Sequence, residues 1–548
     1  MKKYGIYLAY PPTVDMRIEG LGRHLAEFLK GAQERGDTQF VIACPSWMRR
    51  SLVALFETSG IQSENLEIIS PKREPLLLRL HQWFAAFRKY RKHGGRLRRI
   101  TRALKNIKTS STTYVEKRLV GSRNIIFFIL FFLLAIPILI AGGLAGVAGT
   151  VILLFRILFK RARRSLAHHP VLRERMIRIH FLLNEPKHDS LASRLYRLME
   201  DVEASLMRNL IKERKDIAAW YSPTAFWPHF NGISAPRLIC VPDVVLTDFP
   251  VGFAAVGGNR FLDNFKLLEK AIEGGEYFVT YSEDVKWRTL VDRYHADPDL
   301  VSVVPHGANR LDKLVFVSGF PDNETAATTW CRHMFKEALR KAAINTYAGI
   351  GLRGEVKFLF YASQFRPNKN IISLLKAYEY LLRRRYIGHK LVLTGHPHLL
   401  PEVNTFIEEH NLQSDVLCLY GLSERELAAC YRLADLAVNP SLSEGGCPFT
   451  FTEALSVGTP VVMARIPVSE EVITDPELQE LMFFDPYDWK NMAERIEWGL
   501  NNRARLLEKQ KPFYEQLARR TWRNVVDEYI EILDRISSKQ TVGDDHVA

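Results

Sequence analysis

The chain has few cysteines and pairs none of them. Six occur in 548 residues: Cys44, Cys240, Cys331, Cys418, Cys430 and Cys447. No CxxC pair and no metal-ligand spacing of cysteine and histidine is found among them, which argues against a disulfide scaffold or a zinc ribbon. Isolated cysteines in so long a chain fit a reducing compartment. His396 and His398 alternate in GHPH after an apolar run, but no third ligand stands near them. There is no internal repeat and no low-complexity tract, which argues against a solenoid. The N-terminus, MKKYGIYLAYPP, lacks the apolar length and cleavage site of a signal peptide and reads as a first β-strand. Acidic residues are short: 61 Asp and Glu face 75 Lys and Arg, for a net charge of +14. That deficit predicts an anionic partner, whether nucleic acid, anionic lipid or a phosphorylated substrate.

The hydrophobic fraction is 47%, ample for large cores, and the length suggests two to four folding units. One run stands apart. From Ile125 to Phe155 no residue is charged. Such a run exceeds the ~20 residues needed to span a bilayer. Lys117, Arg118 and Arg123 precede it; Arg156, Lys160, Arg161, Arg163 and Arg164 follow it. Basic flanks mark the cytoplasmic side, so both ends are expected there. Pro137, Gly142, Gly143, Gly146 and Gly149 supply a bend. The expectation is a short hairpin that enters the membrane and returns. Each leg of about 15 residues would be only ~23 Å long, too short for a ~30 Å hydrocarbon core. Upstream, Leu77, Leu80, Phe84 and Phe87 recur at helical spacing, and no acidic residue interrupts 75–115. This basic amphipathic region, 77–118, suits an anionic membrane surface better than nucleic acid.

Strand-type runs at 4–9 and 39–44 enclose a helical pattern with Leu21, Leu25, Phe28 and Leu29. That is a βαβ start, the mark of a parallel sheet. Strand-like runs return at 237–241, 277–281 and 301–304, beyond a helical stretch at about 190–215. A second α/β block carries runs at 357–362, 390–394, 416–419, 435–439 and 460–463, with helical patterns at 371–384, 423–433 and 453–457. The domains expected are 1–310, holding a membrane insertion at 75–185; a linker or decoration at 311–355; a second block at 356–520; and a final helix and tail at 521–548. Two such blocks make a cleft, and ligands bind at the carboxyl ends of their strands.

The richest segment is NPSLSEGGCPFTFTEALSVGTPVV, from Asn439 to Val462. A strand ends, a glycine-rich turn follows and a helix begins near Phe451. Glycines let a backbone approach a ligand closely, and a helix N-terminus attracts phosphate. Glu444 and Glu453 flank the turn. Carboxylates accept hydrogen bonds from sugar hydroxyls.

This segment resembles the E-x7-E signature of family 4 retaining glycosyltransferases, the group 1 type with the GT-B fold. Residues 421–441, 357–371, 278–307 and the terminal TWRNVVDEYIEIL resemble other stretches of the same family. The resemblance covers both blocks except 50–215 and 311–355. It implies two Rossmann-like domains facing a cleft, here with the membrane-associated helical insertion in the first. It implies that Glu453 holds the donor ribose, while Glu444 with Gly445 and Gly446 holds the donor sugar. Cys447, Thr450 and Gln364 would line the donor site. Lys369, with Arg366 beside it, would neutralise the diphosphate, so no metal or other cofactor is expected. Gly20, Gly22 and Arg23 resemble the family's glycine loop, which faces the donor phosphates and the acceptor. Asp243 and His306 would border the cleft from the first domain.

Three positions depart from the family pattern. One extra residue separates Glu444 from Glu453; Gln364 stands where an arginine is usual; Pro242 stands where a histidine is usual. The expected activity is transfer of a hexose from a nucleoside-diphosphate sugar to a lipid-linked or membrane-proximal glycan acceptor, in polysaccharide or glycolipid synthesis. The expected place is the cytoplasmic face of the inner membrane, with an anionic lipid surface and glycan-assembly proteins as partners and no nucleic acid. Two rival readings stand beside it: a GT-B epimerase or phosphorylase, and a non-catalytic scaffold of a glycan-assembly complex.

Overall fold

The computed structural model describes residues 1–12, 14, 16, 20–62, 66–79, 125–126, 129, 191–243, 245–257, 259–342 and 356–544. The predicted hairpin at 125–155 and the basic stretch at 77–118 fall almost wholly outside them. Among the described residues no helix is long and apolar enough to cross a membrane.

Seven parallel strands form the first sheet: β1 (Lys2–Tyr7), β2 (Thr38–Ala43), β3 (Leu66–Ile69), β4 (Trp220–Ser222), β5 (Arg237–Cys240), β6 (Tyr277–Thr280) and β7 (Val301–Val303). Their order is β3-β2-β1-β4-β5-β6-β7, so the order reverses between β1 and β4. That reversal opens a crevice at the carboxyl ends of the central strands. The central strands are apolar runs because helices cover both faces of a parallel sheet. Gly5 pairs with Trp220 across β1 and β4, and a Cβ at Gly5 would overlap the Trp220 indole. Only glycine fits there.

Six strands form the second sheet: β8 (Phe358–Tyr361), β9 (Lys390–Thr394), β10 (Val416–Leu419), β11 (Leu436–Asn439), β12 (Val461–Ala464) and β13 (Phe483–Phe484). The order is β10-β9-β8-β11-β12-β13, with its own reversal between β8 and β11.

The helices that matter below are α1 (Gly20–Arg35), α2 (Leu191–Lys212), α3 (Asn323–Ala342), α4 (Ile371–Arg384), α5 (Glu424–Leu433), α6 (Phe449–Ser456), α7 (Arg503–Ala518) and α8 (Trp522–Asp544). A reciprocal cap opens α5: the Ser423 hydroxyl accepts the Glu426 amide, and Glu426 accepts the Ser423 amide at 2.8 Å. Such a cap satisfies two orphan donors of the first turn.

Residues 311–342 are more than a linker. Cys331, Phe335, Ala338 and Leu339 of α3 pack with Phe358 in the second core, and Lys341 pairs with Glu426 of α5 at 2.6 Å. The second domain therefore starts near Leu311. Leu78 likewise belongs to the first core, and Leu77 packs against it. That takes the first residues of the predicted amphipathic region for packing.

The last helix returns to the first domain. Trp522, Val525, Val526, Tyr529, Leu533 and Ile536 of α8 are buried in the first core. A Cβ at Gly31 of α1 would lie 2.5 Å from the backbone carbon of Trp522. Glycine at that point lets α1 and α8 touch backbone to backbone.

Candidate active site

The two sheets face each other through loops at their carboxyl ends. In the second domain, the loop after β8 and the loop after β11 are stitched together. Asn368 Nδ2 donates to the Ser443 carbonyl at 3.2 Å, and the Leu442 amide donates to the Asn368 carbonyl at 2.8 Å. This lattice sets Lys369 against Glu444, Nζ to Oε1 at 2.6 Å, with both side chains less than a fifth exposed. From Pro448 the chain enters α6, whose first amides lack intrahelical partners and give that end a positive character.

The glycine turn is pressed onto the first domain. A Cβ on Gly445 would overlap the carbonyl oxygen of Pro242, and one on Gly446 would sit 2.8 Å from Tyr281 Cβ. Ser282 Oγ donates to the Gly445 carbonyl at 3.0 Å. The residue at the family's usual histidine position thus presents backbone, not an imidazole, to the turn. Asp243 follows it. Burial raises its carboxyl above the usual carboxylate range, against the pull of Lys369 and Arg366.

Glu453 lies in α6 and is 2% exposed. A buried carboxylate needs partners, and its Oε1 has two. Arg23 Nη1, from α1 of the first domain, donates at 3.0 Å. Asn309 Nδ2 donates at 3.2 Å. The negative charge of Glu453 holds the Arg23 guanidinium above its ordinary value. Asn309 is a site residue that sequence reasoning missed. It is a single asparagine in PHGAN, with neither charge nor spacing to mark it.

The structure therefore gathers Arg23, Asp243, Lys369, Glu444, Gly445, Gly446 and Glu453 along one cleft between the domains. Other predicted residues make different contacts. Arg366 is exposed and donates to Gln364 Oε1 at 2.8 Å, so the two side chains occupy each other. Gly22 packs against the Met16 backbone, where a Cβ would overlap the carbonyl oxygen, while Gly20 faces open space. Thr450 is buried within α6. Burial pushes the Cys447 thiol up to about 12, which leaves it no thiolate character near neutrality. Among the described residues no group of three or more His, Cys, Asp or Glu is placed to hold a metal ion. The His396 ring packs on Tyr420 with centroids 4.7 Å apart.

His306 is a junction residue. Its Nδ1 lies 3.1 Å from the Gly307 carbonyl, its ring packs on Phe449 with centroids 4.4 Å apart, and its Nε2 would lie 3.2 Å from a Cβ on Gly446. Nearby, His24 Nε2 meets Tyr281 Oη at 3.1 Å. Burial lowers His306 to about 4 and His24 to about 3. Both imidazoles stay neutral in the folded chain at a pH where the unfolded chain binds protons, that is, below its ordinary value of 6.5. Their stabilising effect is complete above pH 6.5 and is lost as pH falls from there toward 4 for His306 and toward 3 for His24. Urea titrations from pH 7 to pH 4.5 should show stability falling by a few kcal/mol. His306→Phe should remove about half of that dependence, leaving the part due to His24, and an unchanged slope would refute the assignment.

Residues 347–520 match the family model described as Glycosyl transferases group 1. That match falls on the second domain and supports a glycosyltransferase of the group 1 type. A serotype-specific mannosyltransferase WbdA of Escherichia coli is 30% identical over 192 residues, which cover 34% of this chain and 23% of that protein. The chain thus spans about a quarter of the length of that relative. A D-inositol 3-phosphate glycosyltransferase of Stackebrandtia nassauensis is 26% identical over 337 residues, covering 57% of this chain and 65% of the other. In fold, the chain is similar to HepE of Anabaena, solved in complex with UDP and glucose, with a TM-score of 0.52 at 10% identity over 98% of this chain and 100% of that one. A glycosyltransferase of Rickettsia africae gives a TM-score of 0.50 at 12% identity over 98% and 99%. The two-sheet architecture is the GT-B type.

Proposed function

We propose that this chain transfers a hexose from a nucleoside-diphosphate sugar to a glycan acceptor at a membrane surface, with retention of anomeric configuration. The observation that carries the reading is the cleft itself. Lys369 and Glu444 meet beside the Gly445–Gly446 turn, and Glu453 stands buried in the helix that follows. In this reading Glu453 accepts the ribose hydroxyls. Lys369 meets the diphosphate, whose charge grows as the glycosidic bond breaks, so a fixed cation there lowers the barrier. The leaving phosphate takes the acceptor's proton as the new bond forms on the same face. Neither metal nor cofactor enters this scheme.

The reaction is tested by thermal unfolding of the full chain with UDP, GDP, ADP and their hexose derivatives. A ligand at 100 times its dissociation constant should add ~2.7 kcal/mol. A response to one base would name the donor class. Stability unmoved by any of them would remove the transferase reading and favour the scaffold.

The membrane part of the proposal rests on the uncharged run at 125–155 and on where its segment is tied. Leu78 before it and Met199 of α2 after it are both buried in the first core. The intervening chain leaves and re-enters one body, so it can meet a bilayer only from one side. The proposed place is the cytoplasmic face of the inner membrane. Deleting 125–155 should abolish flotation with anionic liposomes. Undiminished flotation would transfer that role to the basic stretch at 77–118.

A further inference from the structure

Between β5 and β6 the first domain carries the helix Pro250–Gly257. Its sequence, PVGFAAVG, holds no polar side chain, and none of its residues is buried. Val251 is 82% exposed and Val256 47%. Ala254 and Ala255 are exposed as well, and with Val251 they share one face at i, i+3 and i+4 spacing. Leu262 and Leu267 of the next helix, Asn259–Glu273, add further exposed apolar side chains. A helix apolar all round belongs in a core or in a membrane, and no residue of this one is among the buried core. We propose that this helix is a membrane-docking surface, seated at the boundary between lipid headgroups and acyl chains. The inference rests on the membrane part of the reading above and names a second contact, made by residues outside 77–155.

The placement of the patch speaks for a bilayer. In the chain, the uncharged run at 125–155 lies between Leu78 and α2. Arg197, in the second turn of α2, meets Asp263 of Asn259–Glu273 at 3.1 Å. The chain therefore re-enters the first domain beside the helix that directly follows the apolar one, and a bilayer reached by that run is at hand on the same flank. Once the run is seated, the docking helix makes its contact within one molecule, so a small patch is enough. The same patch is too small for a protein partner. Eight helical residues span ~12 Å, whereas a stable protein interface buries about 800 Å² on each side.

Charge sets the character of the contact. Arginines beside the patch are already paired: Arg197 with Asp263 at 3.1 Å, Arg288 with Asp248 at 3.4 Å and Arg293 with Asp248 at 3.3 Å. Asp248 stands two residues before Pro250. Docking here draws on apolar burial and does not ask for anionic lipid, unlike the basic stretch at 77–118. The helix also stands at the lip of the cleft. A Cβ on Gly252 would lie 2.8 Å from Cβ of Pro367, two residues before Lys369. Docking thus holds the mouth of the cleft against the lipid surface.

The test uses the full chain on vesicles of phosphatidylcholine alone. A benzophenone side chain is placed at Val251, and in a control chain at Tyr386, which is 83% exposed on the second domain. Flotation of the chain reports the membrane reading; illumination of the floated fraction reports the docking surface. Lipid adducts at Val251 should exceed those at Tyr386 about tenfold. High salt should not lower them. Ala255→Glu, on the same exposed face, should lower the adduct at Val251 about tenfold, with flotation and the thermal midpoint unchanged. Equal yields at the two positions, loss of adduct in high salt, or no effect of Ala255→Glu would overturn the docking surface. An adduct of Val251 with residues 125–155 would give the patch to the chain itself, and a crosslinked dimer would give it to a second copy; either would overturn the bilayer as its occupant. A chain that does not float would instead fail the membrane reading, and the inference with it.

Discussion

Glu453→Ala should weaken nucleoside diphosphate binding by ~10²-fold or more. Two ribose hydroxyls bonded to one carboxylate contribute ~1.5–3 kcal/mol each, and every 1.4 kcal/mol is a factor of ten. Stability should change far less. Arg23 loses its acceptor, but its side chain is 31% exposed and can regain water. Asn309, buried against the same carboxylate, loses its acceptor with less recourse. The net cost should be ~1–3 kcal/mol, as for one orphaned buried donor. Calorimetric titration with the nucleoside diphosphate found in the stability screen separates the two effects. Arg23→Ala is the control, because it removes the cross-domain pair and leaves the carboxylate. Wild-type affinity in Glu453→Ala would sink the ribose assignment.

Lys369→Ala should act on the chemical step. If the ammonium stabilises charge on the leaving diphosphate, kcat should fall by ~10²–10³-fold, the usual cost of removing one preorganised electrostatic group. The donor KM should rise less, because the charge at stake grows mainly in the transition state. Lys369→Arg should recover part of the rate, since the charge is kept while the geometry changes. Glu444 would also lose its partner at 2.6 Å, so Glu444→Gln in the alanine background tests whether the defect is that stranded carboxylate. A kcat unchanged by Lys369→Ala would refute the role.

Much of the fold was legible because the strands are buried on both faces and read as apolar runs. The helix expected at 371–384 has those bounds in the structure, since Leu374, Leu375, Tyr378 and Leu381 mark one face. The strands that were missed are short. β3, β4 and β13 have four, three and two residues, too few for any period to emerge. The span 311–355, read as a linker or decoration that is helical in its second part, hides its packing because α3 buries small residues, Ala327, Cys331, Ala338 and Ala342, beside the larger Phe335 and Leu339. Its mean character is polar, and its packing face does not stand out. In the cleft, Lys369, Glu444 and Glu453 were singled out by the resemblance to the family 4 motif, since each alone reads as an ordinary surface or helix-flanking residue. The contact of Arg23 with Glu453 joins residues 430 positions apart, and no local pattern encodes it.

The return of the last helix fixes an order of events during synthesis. Domains generally fold as they leave the ribosome, the N-terminal one first. Here the first sheet is finished at Val303, yet the face of α1 that meets Trp522 and Tyr529 has no cover until more than two hundred further residues are translated. Through that interval the growing chain carries an apolar stripe, and the same surface would need shelter from a chaperone. A stop codon placed just before Trp522 would spare every residue of the cleft and still release a first domain with its side open. For an engineer, the autonomous first half of this molecule is therefore not 1–310 but that stretch with α8 spliced to its end.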